Sequence, residues 1–170
     1  MTGIPSAAAT AERYCITLAE ASVIIDEAHA TARRLGLPPL TITVLDLGGW
    51  LVAAKREDNS SFFRGEVSNA KAWGALAMGM PTRQLAERAA KSPQFTQSIA
   101  VLTEGRMIPV PGGVLIRDAN GKLLGAVGVS GAHPDDDETV AKAGIAAAGL
   151  VADTTGTPKS DAPQAPVAAD

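Results

Sequence analysis

Hydrophobic residues recur at spacings of three and four along the first part of the chain, which predicts an amphipathic helix. Thr17 and Glu20 fit a capping box at the start of this helix, and Gly36 followed by the Pro38-Pro39 pair ends it. The apolar stripe consists of Leu18, Ala21, Ile25, Ala28, Ala32 and Leu35.

Two further long helices are predicted from stripes of small residues. One spans Phe63–Met80, and the last helix opens at His133–Glu138 and continues to about Leu150. A short helix is predicted over Thr82–Ala90, and Ser92-Pro93 is typical of the start of another helical turn. Small side chains let a partner surface approach closely, so we expect tight contacts of these helices with a sheet or with a neighbouring subunit. The stripe of the first of them consists of Val67, Ala70, Gly74 and Ala77.

Four runs of branched apolar and small residues predict strands. They are Leu40–Leu45, Trp50–Glu57, Gly113–Arg117 and Lys122–Ser130. An Asp46-Leu-Gly-Gly49 turn joins the first two runs and an Asn120-Gly121 turn joins the last two, so each pair predicts an antiparallel hairpin. Because the strands come in adjacent pairs, we expect an α+β fold with a mainly antiparallel sheet flanked by helices.

Composition favours one folded domain. The chain has 170 residues, of which 46% are hydrophobic and only 4% aromatic, and alanine is unusually frequent. Both ends consist largely of small polar residues, alanine and proline, which leave little to bury. We therefore expect disordered segments over 1–13 and 153–170 around a single domain over 14–152.

Charge and hydropathy exclude several kinds of partner. A formal net charge of −3 argues against nonspecific nucleic-acid binding, which needs clustered basic residues. No apolar run approaches the roughly 18–20 residues that a membrane span requires, and no secretory signal is visible, so we expect a cytoplasmic protein without membrane partners. The single cysteine, Cys15, excludes an internal disulfide.

His133 and the acidic run that follows it are candidates for metal or cofactor chemistry. Carboxylates suit hard metal ions, but successive helical residues point about 100° apart, so few members of Asp135–Glu138 can meet at one point. His133 lies in a predicted loop and is the best candidate for an axial heme ligand or a proton-transfer group, whereas His29 fits a packed or surface position on the first helix. The run Gly125–Gly131 matches neither common nucleotide-binding pattern.

Charged side chains offer a second kind of chemistry. Lys71 adjoins the inward stripe of its helix, where a partly desolvated amine can act as a base or nucleophile. Spacing alone favours the alternative of a surface ion pair with Glu66. Arg106 and Arg117 could bind a carboxylate with bidentate geometry, and a surface salt bridge is the equally expected alternative.

The segment Gly105–Gly113 is predicted to be an irregular loop, because its two prolines exclude a central strand. Loops that prolines and glycines hold in shape are common walls of binding sites. We therefore expect Met107, Pro111, Gly112 and Gly113 to wall a pocket.

Three sets of motifs point to a family. They are Val44-Leu-Asp-Leu-Gly-Gly-Trp-Leu51, then Ser68-Asn-Ala-Lys71-Ala72, then Pro111-Gly-Gly-Val-Leu-Ile with Gly125-Ala-Val-Gly-Val-Ser-Gly-Ala132 and Asp137-Glu138 before Ala143-Gly144. In combination they resemble the GlcG/HbpS-like family, also called the heme-degrading domain family, which includes the C-terminal domain of PduO-type proteins. The resemblance covers nearly all of Leu18–Leu150. The chain departs from it at Thr103–Met107, where many relatives carry a glycine-rich segment.

The resemblance implies a compact α+β domain with a profilin-like three-layer arrangement. It also implies homo-oligomers, from dimers to larger rings and often octamers. Some members of the family bind heme, and one secreted member takes part in redox sensing. Others belong to catabolic operons, such as those for glycolate or propanediol use.

Three functions remain open on this basis. Heme binding or heme handling ranks first, with His133 as the axial ligand of the metal and Trp73 and Met107 beside the porphyrin. The second is a catabolic enzyme that acts on a small organic acid by proton transfer, hydration or hydrolysis. Its candidate catalytic residues are Lys71, Glu66, Arg106 and Arg117. The third is an accessory subunit whose main role is assembly.

Overall fold

Five helices and five strands make up the computed structural model, which describes residues 14–155. In chain order they are α1 Leu18–Arg34, β1 Thr41–Asp46, β2 Leu51–Arg56, α2 Arg64–Met78, α3 Thr82–Lys91, α4 Pro93–Leu102, β3 Gly113–Arg117, β4 Leu123–Ser130, α5 Pro134–Ala147 and β5 Val151–Asp153. The predicted terminal segments are 1–13 and 153–170, and except for residues 153–155 they lie outside the described residues.

All strands join one antiparallel sheet in the order β2-β1-β4-β3-β5. The two predicted hairpins are present, and pairing of β1 with β4, from Thr41 opposite Ser130 to Asp46 opposite Gly125, joins them edge to edge. The α+β prediction is therefore confirmed. The short strand β5 was not predicted, and it extends to Asp153, one residue past the expected domain boundary.

The sheet separates two apolar layers. Long branched side chains fill the layer between the sheet and the pair α1 and α5; they include Ile24, Ile25, Ile42, Val44, Val127, Val129 and Ile145. The layer beneath α2 is thinner, because its members are mostly small: Leu45, Ala72, Ala75, Leu115 and Ala126. The alanine excess of the composition therefore serves close helix contacts, as expected.

Helix α2 lies so close to the sheet that only glycine fits at two strand positions beneath it. A Cβ atom at Gly128 would stand 1.9 Å from the carbonyl oxygen of Ser68, and one at Gly113 would stand 2.4 Å from that of Lys71. Both distances lie far inside van der Waals contact. Thr43 hydrogen bonds Ser68 through their hydroxyl groups, 2.7 Å apart, so the polar positions of β1 are satisfied beneath the helix.

The predicted stripe of α2 is buried only in its middle. Ala70 and Gly74 are buried as expected, whereas Val67 is half-buried and Ala77 is exposed. Ser68 and Lys71 are also buried, and the prediction missed them because it treated polar residues as outward-facing.

Within residues 14–155, no helix is long and apolar enough to cross a membrane.

Candidate functional site

Lys71 is buried in the interior, where it forms an ion pair with Asp137. Its side chain is 3% exposed, and Nζ donates to Asp137 Oδ2 at 2.8 Å and to the carbonyl oxygen of Val129 at 2.9 Å. Asp137 also accepts from the Ala132 amide at 3.0 Å. The expected surface pair of Lys71 with Glu66 is therefore wrong. The reason is tertiary: α2 turns Lys71 toward the start of α5.

Burial acts on both members of this pair. Desolvation lowers the pKa of Lys71 and raises the pKa of Asp137, and the charge of each partner opposes the shift of the other. Gly112 covers the pair, since a Cβ atom there would stand 2.9 Å from Lys71 Nζ. A ligand has no room beside this amine, so the geometry supports a structural role for Lys71.

The loop-side groove is an open cavity of about 320 Å³ along the outer face of α2. Its lining residues come from α2 and the start of the segment that follows α4: Phe63, Glu66, Val67, Asn69, Ala70, Glu104, Gly105, Arg106 and Ile108. The volume lies at the lower end of the range for small-ligand sites. Of the predicted site residues, Glu66 and Arg106 meet here.

The chain reaches this groove through a left-handed turn at the end of α4. Glu104 and Gly105 have φ values of 53° and 75°, which redirect the chain so that Arg106 returns across α2. The guanidinium carbon of Arg106 lies 4.6 Å from the centre of the Trp73 ring, a cation–π contact. Trp73 in turn rests against the β1–β2 turn, where a Cβ atom at Gly49 would stand 3.0 Å from its ring.

A second open cavity, the strand-side groove, lies on the other flank of α2 and measures about 400 Å³. It is lined by Thr41, Thr43, Leu51, Ala54, Arg56, Phe62, Gly65, Glu66 and Asn69. Glu66 and Asn69 line both grooves, so the start of α2 forms a ridge between them. Large apolar side chains that line the two grooves lie in exposed positions beside this ridge: Leu51, Phe62 and Phe63.

His133 lies at the start of α5 as its N-cap. Its side chain is 69% exposed, and Nδ1 accepts from the Asp135 amide at 3.4 Å. It does not line either groove. His29 is half-buried on α1, with Nδ1 3.5 Å from Glu57 Oε1. In the described part of the chain, no group of three or more His, Cys, Asp or Glu residues is placed to hold a metal ion.

The other predicted wall residues are mostly interior. Met107 is buried and packs over Gly74, where its Cγ would stand 2.7 Å from an added Cβ atom. Gly112 and Gly113 are buried and lead into β3, and the Thr82 hydroxyl accepts from the Gly113 amide at 2.8 Å. Only the first half of the predicted loop therefore walls a cavity, because the second half enters the sheet.

Arg117 ends β3, which lies three strands away from β2 and next to the edge strand β5. Its Nε donates to Asp153 Oδ2 at 2.7 Å, and this ion pair holds β5 against β3. The structure therefore does not bring Arg117 together with Arg106 for a shared carboxylate. The predicted enzyme site reduces to Glu66 and Arg106, since Lys71 is enclosed and Arg117 is remote.

Sequence reasoning missed the other residues of the loop-side groove. Phe63, Glu66, Val67 and Ala70 recur at spacings of three, four and seven, so a single face of α2 could have been identified as mixed apolar and acidic. Trp73 and Arg106 are 33 positions apart, and no local pattern indicates their contact. The fold and its grooves thus define a small α+β domain with an open surface site beside its central helix.

The chain belongs to the HbpS-like family. The family model described as haem degrading protein HbpS-like matches residues 16–146. An uncharacterized 15.0 kDa protein from the dhaT-dhaS intergenic region of Citrobacter freundii is 30% identical over 130 residues, which are 76% of this chain and 89% of that protein.

Two solved structures of relatives share the fold. The crystal structure of HbpS is 28% identical, with a TM-score of 0.67 over 78% of this chain and 89% of that one. The crystal structure of a PduOC:heme complex is 22% identical, with a TM-score of 0.71 over 80% of this chain and 96% of that one.

Proposed function

We propose that the protein binds heme in the loop-side groove. One observation supports this proposal most strongly: a single open groove combines an apolar wall with a guanidinium group that is held in place. Phe63, Val67 and Ile108 supply the wall, and Arg106 supplies the cation. A family described by haem degradation and a relative crystallised with heme support the choice of this ligand.

Different residues of the groove suit different parts of a ferric heme. The apolar side chains suit a porphyrin face or edge, and Arg106 suits a propionate. The carboxylates of Glu66 and Glu104 are anionic oxygen groups that complement a positively charged iron centre. A small simple anion would instead meet two carboxylates for one guanidinium, which disfavours it.

Neither histidine of the chain lines the groove, so an imidazole ligand is not part of this fit. Bound heme would supply redox-active iron. The protein's own residues would bind the ring, orient it by its propionates and leave part of it open to water. Such a site suits reversible heme handling better than the permanent retention of a cofactor.

A hemin titration tests the proposal. We expect saturable one-to-one binding that shifts the Soret band, together with quenching of Trp73 fluorescence. The Trp50→Phe variant leaves Trp73 as the single tryptophan of the chain, so the quenching is measured at one indole, the one that contacts Arg106. Binding that never saturates at micromolar hemin, or a Soret shift without quenching of Trp73, would contradict the proposal.

We also propose that the protein forms homo-oligomers through the surface around the strand-side groove. Phe62 and Leu51 both line this groove and are 85% and 63% exposed, and monomers rarely leave such large apolar side chains together in water. The occupant we propose is a second copy. Arg56 and Glu66 line the same groove, so a two-fold axis could pair each with its opposite charge on the other copy.

A further inference from the structure

Arg106 stands apart from several other arginines of the structure because it has no carboxylate partner. Arg33, Arg34, Arg83 and Arg117 each pair with an acidic side chain. Across residues 14–155, no carboxylate oxygen lies within 4.0 Å of a guanidinium nitrogen of Arg106, although Glu66 and Glu104 line the same groove.

Two contacts hold its guanidinium group in place instead. Its Nε donates to the carbonyl oxygen of Thr103 at 3.2 Å, and its guanidinium carbon lies 4.6 Å from the centre of the Trp73 ring. Both contacts leave the two terminal nitrogens for a ligand. An arginine without a partner, held by an aromatic ring at the wall of a cavity, has the arrangement of an anion receptor.

The support for this arrangement extends into the sheet. Trp73 is backed by Gly49, whose φ of 76° and close contact with the ring leave no room for a side chain. The β1–β2 turn thus fixes the ring, and the ring fixes the guanidinium. A group that is already in position loses less freedom on binding, which strengthens the complex.

We infer that Arg106 is the anchor for a carboxylate of the ligand, bound by its two terminal nitrogens and oriented by Trp73. The inference rests on the proposed function, where that carboxylate is a heme propionate. A free organic acid offers the same chemical group. The Glu66 and Glu104 carboxylates favour a ligand that adds an apolar body and a cationic centre to its carboxylate, as hemin does.

The test compares hemin, hemin dimethyl ester and benzoate on the wild-type protein and its variants. Arg106→Ala should weaken hemin binding by about tenfold to a hundredfold, the usual range for a charge-assisted hydrogen-bonded pair. It should leave binding of the dimethyl ester unchanged, because the ester carries no carboxylate. Arg106→Lys should give an intermediate loss, since lysine keeps the charge but not the planar fork.

Arg88→Ala is the matched control, because Arg88 also lies over an aromatic ring, Phe95, but outside this groove. It should bind hemin as the wild type does. If Arg106→Ala loses affinity equally for hemin and for its dimethyl ester, the anchor role is overturned. If the variant binds hemin as tightly as the wild type, the anchor role is also overturned, but the proposed function stands.

If the wild-type protein does not bind hemin but binds benzoate in a way that requires Arg106, heme is not the ligand. The anchor role is then supported for an organic acid.

Discussion

Replacement of Lys71 by methionine should destabilise the fold severely at neutral pH. Methionine matches the length of the lysine stem but removes the charge, so Asp137 is left as a buried carboxylate that is 2% exposed. The hydrogen bond that the carboxylate then keeps comes from the Ala132 amide. An unpaired buried charge costs far more than the loss of a contact between neutral groups.

The magnitude follows from the geometry of the pair. Two unit charges 2.8 Å apart attract each other by about 6 kcal/mol at an effective dielectric constant of about 20. Desolvation of both groups offsets much of this gross attraction, but removal of one partner of a buried pair costs about 3–5 kcal/mol. That loss is a large part of the roughly 5–15 kcal/mol by which a domain is stable.

Urea denaturation followed by circular dichroism measures the free energy of unfolding. The matched control is Lys55→Met, which breaks an exposed ion pair with Asp26 and should cost less than about 1 kcal/mol. The double variant Lys71→Met/Asp137→Asn should be more stable than Lys71→Met alone, since no unpaired charge remains. Equal losses for Lys71→Met and Lys55→Met would refute a buried, compensated pair.

The dependence on pH has a defined sign. Burial raises the pKa of Asp137, and Lys71 opposes that rise, so the lysine-free variant has the higher pKa at Asp137. A carboxyl group with a raised pKa in the folded state favours folding as it becomes protonated. The deficit of Lys71→Met should therefore be larger at pH 7.5 than at pH 5. A deficit that grows at the lower pH would contradict the argument.

Three further predictions concern packing, the heme ligand and assembly. Gly128→Ala should cost about 3 kcal/mol in denaturation, because its Cβ would stand 1.9 Å from the Ser68 carbonyl oxygen; Gly65→Ala, with open space at its Cβ, should be near neutral. His133→Ala should leave the Soret band of bound heme unchanged, and a shifted band would make His133 an iron ligand after all. Phe62→Ser should lower the molar mass measured by light scattering, and an unchanged mass would exclude this surface as the main interface.

The sequence was sufficient for most of the architecture. The periodicity of α1, the capping box and the two turn signals are local features, and the structure contains the elements that they predict. Strands that follow each other in pairs joined by short turns form antiparallel hairpins, so an antiparallel sheet was the expected arrangement. Strand β5 escaped detection because three residues are too few for a pattern, and its position depends on the ion pair of Arg117 with Asp153.

The candidate site was harder to predict because its geometry depends on tertiary contacts. The sequence of α2 alone is compatible with a Lys71 side chain that faces solvent. Its buried position depends on the packing of α5, which supplies Asp137 as its partner. Glu66 and Arg106 were identified as charged candidates, but their shared groove depends on the left-handed turn at Glu104. His133 has the residue type of a ligand, whereas its place at the start of α5 makes it a helix cap.

A comparison of two tryptophan variants on α2 tests heme binding in the loop-side groove most directly. Val67→Trp fills the groove, whereas Ala77→Trp adds the same side chain at an exposed position of the same helix, outside the groove. In a hemin titration, the account predicts at least about tenfold weaker binding for Val67→Trp and unchanged binding for Ala77→Trp, with both variants folded by circular dichroism. Equal hemin affinities for the two variants would contradict it.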